Sequence, residues 1–152
     1  LGFQFTAYYA MELKKYMQET GATREHFAKV AVKNSYNGSL NPYAQHRRPL
    51  SLEEVLGSRL IAEPLTLYMC SSLGDGAAAA VLCSGEVAQR LASACPIEVA
   101  ACVLRSGMFR APGETGPGTV TLTAQKAYQM AGIRDPRREM DVIELHDLFA
   151  GL

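Results

Sequence analysis

Asp141-Val-Ile-Glu-Leu-His-Asp-Leu-Phe149 is the stretch that decides how this 152-residue chain is read. Val142, Ile143 and Leu145 predict a short buried strand. The strand stops at the polar pair His146-Asp147, with Phe149 just beyond. In α/β folds, ligands gather at the carboxyl ends of strands, so a histidine there is placed to meet a substrate. Adjacent residues of an extended chain point to opposite faces, so His146 and Asp147 are not expected to form a direct acid–base dyad. One should face a pocket while the other anchors the loop. A lone histidine at a strand end also has a plainer, structural reading, and residue identity alone favours that one.

Working back from that strand, the second part of the chain alternates strand and helix. Ala78–Cys83 reads as a buried strand after the glycine-rich turn Cys70-Ser-Ser-Leu-Gly-Asp-Gly76, and Glu86–Ala94 as a helix. Ile97–Leu104 reads as a second strand, with Val99, Ala101 and Val103 on one face. Ala111–Thr119 is a Gly/Pro loop. Thr123 then caps a helix with Ala124, Ala127, Tyr128 and Ala131 aligned, closed by Gly132. Strand, helix, strand, helix, strand implies α/β layers with crossover connections. Three strands make a poor sheet, and each needs neighbours that this sequence does not supply.

The first part, residues 1 to about 65, reads as helical. Phe5, Tyr9, Leu13, Tyr16 and Met17 form one apolar stripe that Gly21 ends. Thr23 can cap a second helix with Phe27, Val30 and Ala31 on one face. Asn34 to Pro49 reads as a polar loop, with Asn37-Gly38 and Asn41-Pro42 as turn signals. Ser51-Leu-Glu-Glu54 is a capping box that opens a third short helix, ending before Pro64.

Composition narrows the function classes. Lys+Arg and Asp+Glu both number 15, so no net field draws nucleic acid or a membrane surface. Apolar residues make up 48% of the chain, enough for a real core. The longest apolar run, Ala77–Cys83, is far too short to span a bilayer. Leu1-Gly-Phe-Gln4 shows no signal peptide, and a cytoplasmic-type setting is expected. The chain is expected to be a fragment that begins mid-helix and stops just after a strand. Cys70, Cys83, Cys95 and Cys102 match no CxxC pattern, so free, reduced, buried thiols are expected, with a disulfide or zinc site as the lesser reading.

Few residues carry candidate chemistry. Ser71 and Ser72 are placed to hydrogen-bond something outside the turn, whereas Asp75 reads as a turn cap or, alternatively, a ligand contact. His46-Arg47-Arg48 is either a solvated loop or a basic cluster able to meet phosphates. No P-loop, GxGxxG, HExxH or GxSxG is present, and no metal site is expected.

Taken together, Cys70-Ser-Ser-Leu-Gly-Asp-Gly-Ala-Ala-Ala-Ala80 and Ile143-Glu-Leu-His-Asp-Leu-Phe149 resemble the middle of a thiolase. The likeness is to the sterol-carrier-type and archaeal-type branch, whose motif is His-Asp-x-Phe. Glu25-His-Phe-Ala-Lys29, Lys33-Asn34, Asn41-Pro-Tyr43 and Ser51-Leu-Glu-Glu-Val55 are similar to the same branch. The resemblance implies a five-layered α-β-α-β-α fold of which this is a central fragment. Residues 1–65 would belong to the loop domain, 66–84 would close the first half and 85–152 would open the second.

The resemblance also implies acyl transfer between coenzyme A thioesters, with coenzyme A as substrate and no covalently bound cofactor. His146 would be the catalytic residue of this segment, at the oxyanion site where an enolate forms. Ser71 would lie near the pantetheine arm, with Ser72 as a further coenzyme-binding candidate, and His46, Arg47 and Arg48 would lie in the region that holds the adenine end. A homodimer or homotetramer is implied, in the cytoplasm or, in a eukaryote, the peroxisome. None of the four cysteines matches either catalytic cysteine of the family, and Leu148 stands where that branch often has cysteine. This segment alone is therefore not expected to catalyse thiolysis. Two other readings stay open: a thiolase-fold retro-aldolase of steroid side-chain esters working with a small OB-fold partner, and a non-catalytic acyl-CoA-binding scaffold.

Overall fold

The computed structural model describes residues 4–91, 95, 97–109 and 117–151. The chain forms two compact units: residues 1–77 together with 145–152, and residues 78–144.

The first unit is built on helices whose ends are set by local chemistry. Helix α1 (Phe5–Thr20) turns Ala10 and Leu13 inward, and Gly21 closes it at φ 74°, its N–H reaching the Met17 carbonyl. Only glycine takes that conformation without a Cβ penalty. Helix α2 (Arg24–Leu40) starts behind Thr23, whose N–H donates to Nδ1 of His26 at 2.9 Å. Its buried residues are Phe27 and Ala28.

The polar loop expected from Asn34 begins later than the sequence suggested, because α2 runs on through Asn37-Gly38 to Leu40. The Ser35 and Ser39 hydroxyls donate back to the Val32 and Tyr36 carbonyls, at 2.8 and 2.7 Å, so these side chains bond the helix instead of competing with it. Pro42 then disfavours a helical conformation at Asn41 and the helix stops.

Helix α3 (Leu52–Gly57) opens with the expected capping box. The Ser51 hydroxyl accepts the Glu54 N–H at 3.1 Å, and the Glu54 carboxylate accepts the Ser51 N–H at 2.8 Å. Strands β1 (Leu60–Ala62) and β2 (Leu65–Thr66) form a small antiparallel hairpin around the cis Glu63–Pro64 bond, a feature absent from the sequence reading. A single 3-10 turn, Leu67–Met69, leads into Cys70, which forms an antiparallel bridge with Phe149. Leu13, Phe27, Val55, Leu65, Met69 and Phe149 are the large buried residues of this core. Each is worth about 1.5–3 kcal/mol when fully buried. Thr66, with no exposure, satisfies its hydroxyl on the Val55 carbonyl at 2.8 Å.

The second unit contains three helices among the described residues. Helix α4 (Gly85–Arg90) is capped by Ser84, whose hydroxyl accepts the Val87 N–H at 3.4 Å. The sequence reading extended this helix to Ala94, but residues 92–94 lie outside those described. Helix α5 (Thr119–Ala131) starts four residues before the cap expected at Thr123; Thr123 instead donates to the Thr119 carbonyl at 2.7 Å, one turn inside the helix. Gly132 closes α5 at φ 73°, as the sequence suggested. Most of the Gly/Pro loop before α5, residues 111–116, lies outside the described part.

Helix α6 (Pro136–Glu139) was missed, although Asp135-Pro136 is a readable start signal. Two carboxylates close its amino-terminal end, that of Glu139 by folding back from the last turn. Asp135 accepts the Arg137 N–H at 3.2 Å, and Glu139 accepts the Arg134 and Asp135 N–H groups at 2.9 and 2.6 Å.

The strands expected at 78–83, 97–104 and 142–145 are not formed. Among the described residues, none of these segments pairs as a strand. Their apolar side chains are exposed: Val81 by 92%, Ile97 by 92%, Leu104 by 96% and Leu145 by 75%. A strand is held by its ladder hydrogen bonds and by a layer over its apolar face, and these segments have neither here. The cysteines are free, as expected, but burial was misjudged: Cys70 is half-buried, while Cys83, Cys95 and Cys102 are exposed on or beside those unpaired segments.

Candidate functional site

The bridge between Cys70 and Phe149 brings the two most informative motifs of the sequence side by side. The Ser71 N–H donates to the Leu148 carbonyl at 3.0 Å, and the Ala150 N–H donates to the Met69 carbonyl at 2.9 Å. The Phe149 side chain, only 6% exposed, locks this joint into the core beside Tyr9, with ring centroids 5.3 Å apart. The serine-rich turn and the His-Asp turn are therefore held in register from points far apart in the sequence.

A groove of about 740 Å³ opens along this joint. Ser71, Ser72, Cys70 and Asp147 line it on the joint side, and Asn34, His46 and Arg48 on the helix and loop side. That volume suits an elongated organic ligand. Its polar groups are already linked. The Asn34 amide on α2 donates to Oδ2 of Asp147 at 2.6 Å. The Ser72 hydroxyl donates to Oε1 of Gln45 at 3.0 Å, and Nε2 of His46 lies 3.1 Å from the same hydroxyl oxygen. With the Ser72 proton committed to Gln45, the contact is satisfied when Nε2 of His46 carries its own proton and donates. Gln45 Nε2 donates to the Leu73 carbonyl at 3.0 Å and pins the loop over Gly74, where an added Cβ would meet the Gln45 side chain at 2.8 Å.

Each residue singled out from the sequence has a definite place. Ser71, Ser72 and Arg48 line the groove; Arg47 and His146 do not. Arg48 is already engaged, its Nη1 lying 2.7 Å from Oε1 of Glu54, and that carboxylate raises the guanidinium's pKa further. Glu54 is held below the usual carboxylate range by the Ser51 N–H first and by Arg48 second. Among the described residues Arg47 reaches only the Pro42 carbonyl, at 3.4 Å, and is the less committed of the two cations. At the His-Asp pair it is Asp147 that lines the groove and also anchors the turn, while His146 is exposed away from the groove lining.

Cys70 is no activated nucleophile. Burial raises its thiol pKa, and the sulfur donates to the Thr66 carbonyl at 3.3 Å. Reactive thiols need a neighbouring cation or base that lowers the pKa. Among the described residues, no group of three His, Cys, Asp or Glu side chains could hold a metal ion. No described helix is long and apolar enough to cross a membrane. Sequence reasoning missed Asn34 and Gln45 as members of the site. Nothing in their spacing marks them, since they meet their partners across 113 and 28 residues of chain.

Comparison with known proteins places this arrangement in context. No family model matches the chain. Over 150 residues it is 42% identical to the benzoylsuccinyl-CoA thiolase subunit BbsB of Thauera aromatica, covering 97% of the chain and 38% of that protein. It is 35% identical over 152 residues to an acetyl-CoA acetyltransferase of Methanothermobacter thermautotrophicus, covering 98% of the chain and 39% of the relative. Sterol carrier protein 2 of Bos taurus is 35% identical over 147 residues, with 90% of the chain and 26% of the relative covered. The chain thus spans about two fifths or less of the length of these relatives. These likenesses support a place for the chain in the thiolase superfamily and, with it, an α/β fold.

Proposed function

We propose that this chain is the central segment of a thiolase-type acyltransferase acting on coenzyme A thioesters. The observation that carries the reading is the Cys70–Phe149 bridge, which sets the Cys-Ser-Ser-Leu-Gly turn beside the His-Asp-Leu-Phe turn along one groove. In this reading residues 1–65 belong to the loop domain, 66–84 close the first half and 85–152 open the second. The groove takes the extended part of the thioester: Ser71 and Ser72 meet the amide-rich arm and Arg48 meets phosphate, with Arg47, outside the groove lining, reaching phosphate from the loop. Arg48 does so by sharing or exchanging its Glu54 partner.

His146, exposed outside the groove lining, supplies the chemistry at the reacting end of the thioester. Its imidazole N–H donates a hydrogen bond to the thioester oxygen as negative charge builds there during enolate formation. A bond that strengthens only in the transition state raises kcat more than it lowers KM. The acyl-accepting thiol lies outside this chain. The protonated Cys70 does not suit that task, and none of the other three cysteines matches the family's nucleophile. The relatives' names, a benzoylsuccinyl-CoA thiolase and an acetyl-CoA acetyltransferase, support coenzyme A thioesters as substrates, with acetyl and aromatic acyl groups as candidates. The word "subunit" in one of those names supports looking for a partner protein as well as for a homodimer or homotetramer.

The test uses the full-length protein that carries this sequence. Incubated with acetoacetyl-CoA and coenzyme A, it should yield acetyl-CoA and a cysteine-bound acetyl group, both visible by mass spectrometry. His146→Ala should lower kcat by about 10²–10³-fold with a smaller effect on KM, as loss of one oxyanion donor does. Cleavage of a β-hydroxyacyl-CoA with no acyl-enzyme would move the protein to the carbon–carbon lyases. Binding of acyl-CoA without turnover would make it a scaffold.

A further inference from the structure

We infer that Asn34 is a positioning residue for His146, acting through Asp147. The inference rests on the thiolase reading for its kinetic consequence, but its structural content stands apart from it.

The argument starts from how His146 is held. The residues before it, 141–145, are exposed and are not paired as a strand. The residues after it are fixed: Leu148 and Ala150 by backbone bonds to Ser71 and Met69, Phe149 by burial. The position of His146 is therefore set from its C-terminal side. Asp147 is the next residue, and its carboxylate is tied to the Asn34 amide at 2.6 Å, short for an N–H···O bond and in keeping with a charged acceptor.

The other end of that tie is firm. Asn34 stands on α2, two turns beyond the buried Phe27 and Ala28, so its amide is presented by a helix seated in the core. Asp147 is joined to His146 by one planar peptide bond, and fixing its side chain limits rotation about the backbone single bonds on either side of that bond. Both partners are exposed, so the bond adds little to global stability. Its effect is on aim. A catalytic donor displaced by about 1 Å can lose on the order of 10²-fold in rate without any change in fold.

The polarity of the pair supplies the test, in the full-length protein. Asn34→Asp places two carboxylates against each other and breaks the bond, whereas Asp147→Asn keeps an N–H···O=C bond, but a weaker, neutral one. Asn34→Asp should lower acetoacetyl-CoA thiolysis about tenfold in kcat, with KM and melting temperature close to wild type, and Asp147→Asn should lower it less. The double change Asn34→Asp/Asp147→Asn restores an amide–carboxylate bond with its direction reversed and should recover most of the lost rate. Asn34→Asp alone should also gain a pH dependence. One of the facing carboxylates holds a proton at low pH and can donate, so activity falls as pH rises and that proton is lost.

A second readout does not depend on turnover. The imidazole NMR signal of His146, assigned by its disappearance in His146→Gln, should shift or broaden in Asn34→Asp and return in the double. Unchanged kcat in Asn34→Asp of an active protein, or a double variant no better than Asn34→Asp, overturns the inference. So does an unmoved His146 signal, whether or not the protein turns over. A wild-type protein that cleaves no thioester, yet shows the signal lost and regained, sinks the thiolase reading and leaves the positioning role standing.

Discussion

Gly151 illustrates how a single residue constrains the site. It sits at φ 99°, and an added Cβ would collide with Cδ1 of Phe27, lie 2.8 Å from Cε1 of the same ring and 3.1 Å from Leu13. Phe27 and Leu13 are themselves buried, so neither can swing into solvent. Gly151→Ala should therefore destabilise the full-length protein by about 1–3 kcal/mol from the backbone conformation alone, before any core rearrangement. Urea denaturation of the two proteins measures it, and equal midpoints would mean that the turn accommodates a side chain. At this scale the sequence was partly legible. Ser71, Ser72 and Arg48 could be picked out because hydroxyls beside glycines and a basic cluster in a loop are local patterns. Asn34 and Gln45 could not, because their roles come from partners far along the chain.

Among the elements, helix α3 gives the clearest electrostatic prediction. Glu54 accepts the Ser51 N–H and pairs with Arg48, and these interactions lower its pKa relative to an unfolded chain. A carboxylate with a depressed native pKa contributes stability that is complete above its unfolded value and is lost as pH falls through the lower, native one. The melting temperature of Glu54→Gln should thus trail wild type at neutral pH, and the gap should close as the solution is acidified below the ordinary glutamate range. A gap constant with pH would show that the charge on Glu54 is not what matters.

Helix ends were largely readable from sequence because caps act within four residues. Gly21, Ser51 and Gly132 stand where expected. The failures have physical causes too. Ser35 and Ser39 bond back into α2 and carry it past a turn signal, and Thr123 does the same inside α5. The segments around Val81, Val99 and Ile143 have the composition of strands, but a strand is defined by its partner, which composition does not reveal.

For the whole molecule the exposed apolar segments set the expectation. Val81, Leu82, Ile97, Leu104 and Leu145 are each at least 75% exposed, in a chain whose compact core lies in the first unit. So much unpaired apolar chain favours association over a single ordered state. The 152-residue polypeptide expressed by itself should melt without a sharp cooperative transition and should bind a hydrophobic dye. A steep, two-state thermal transition with full near-ultraviolet dichroism would show that it folds alone.

The antiparallel joint between Cys70 and Phe149 also has a consequence in time. Synthesis runs from the amino end, so helices α1 to α3 and the hairpin emerge from the ribosome long before Phe149 exists. Until that residue appears, the nascent first unit lacks a buried aromatic ring and the partner for its Met69–Ser71 backbone. Domains tend to fold as units once their whole sequence is available, and this unit has its last contribution about as late as the segment allows. A ribosome stalled anywhere between these two residues would hold a chain with most of the groove's side chains already made and no groove to put them in.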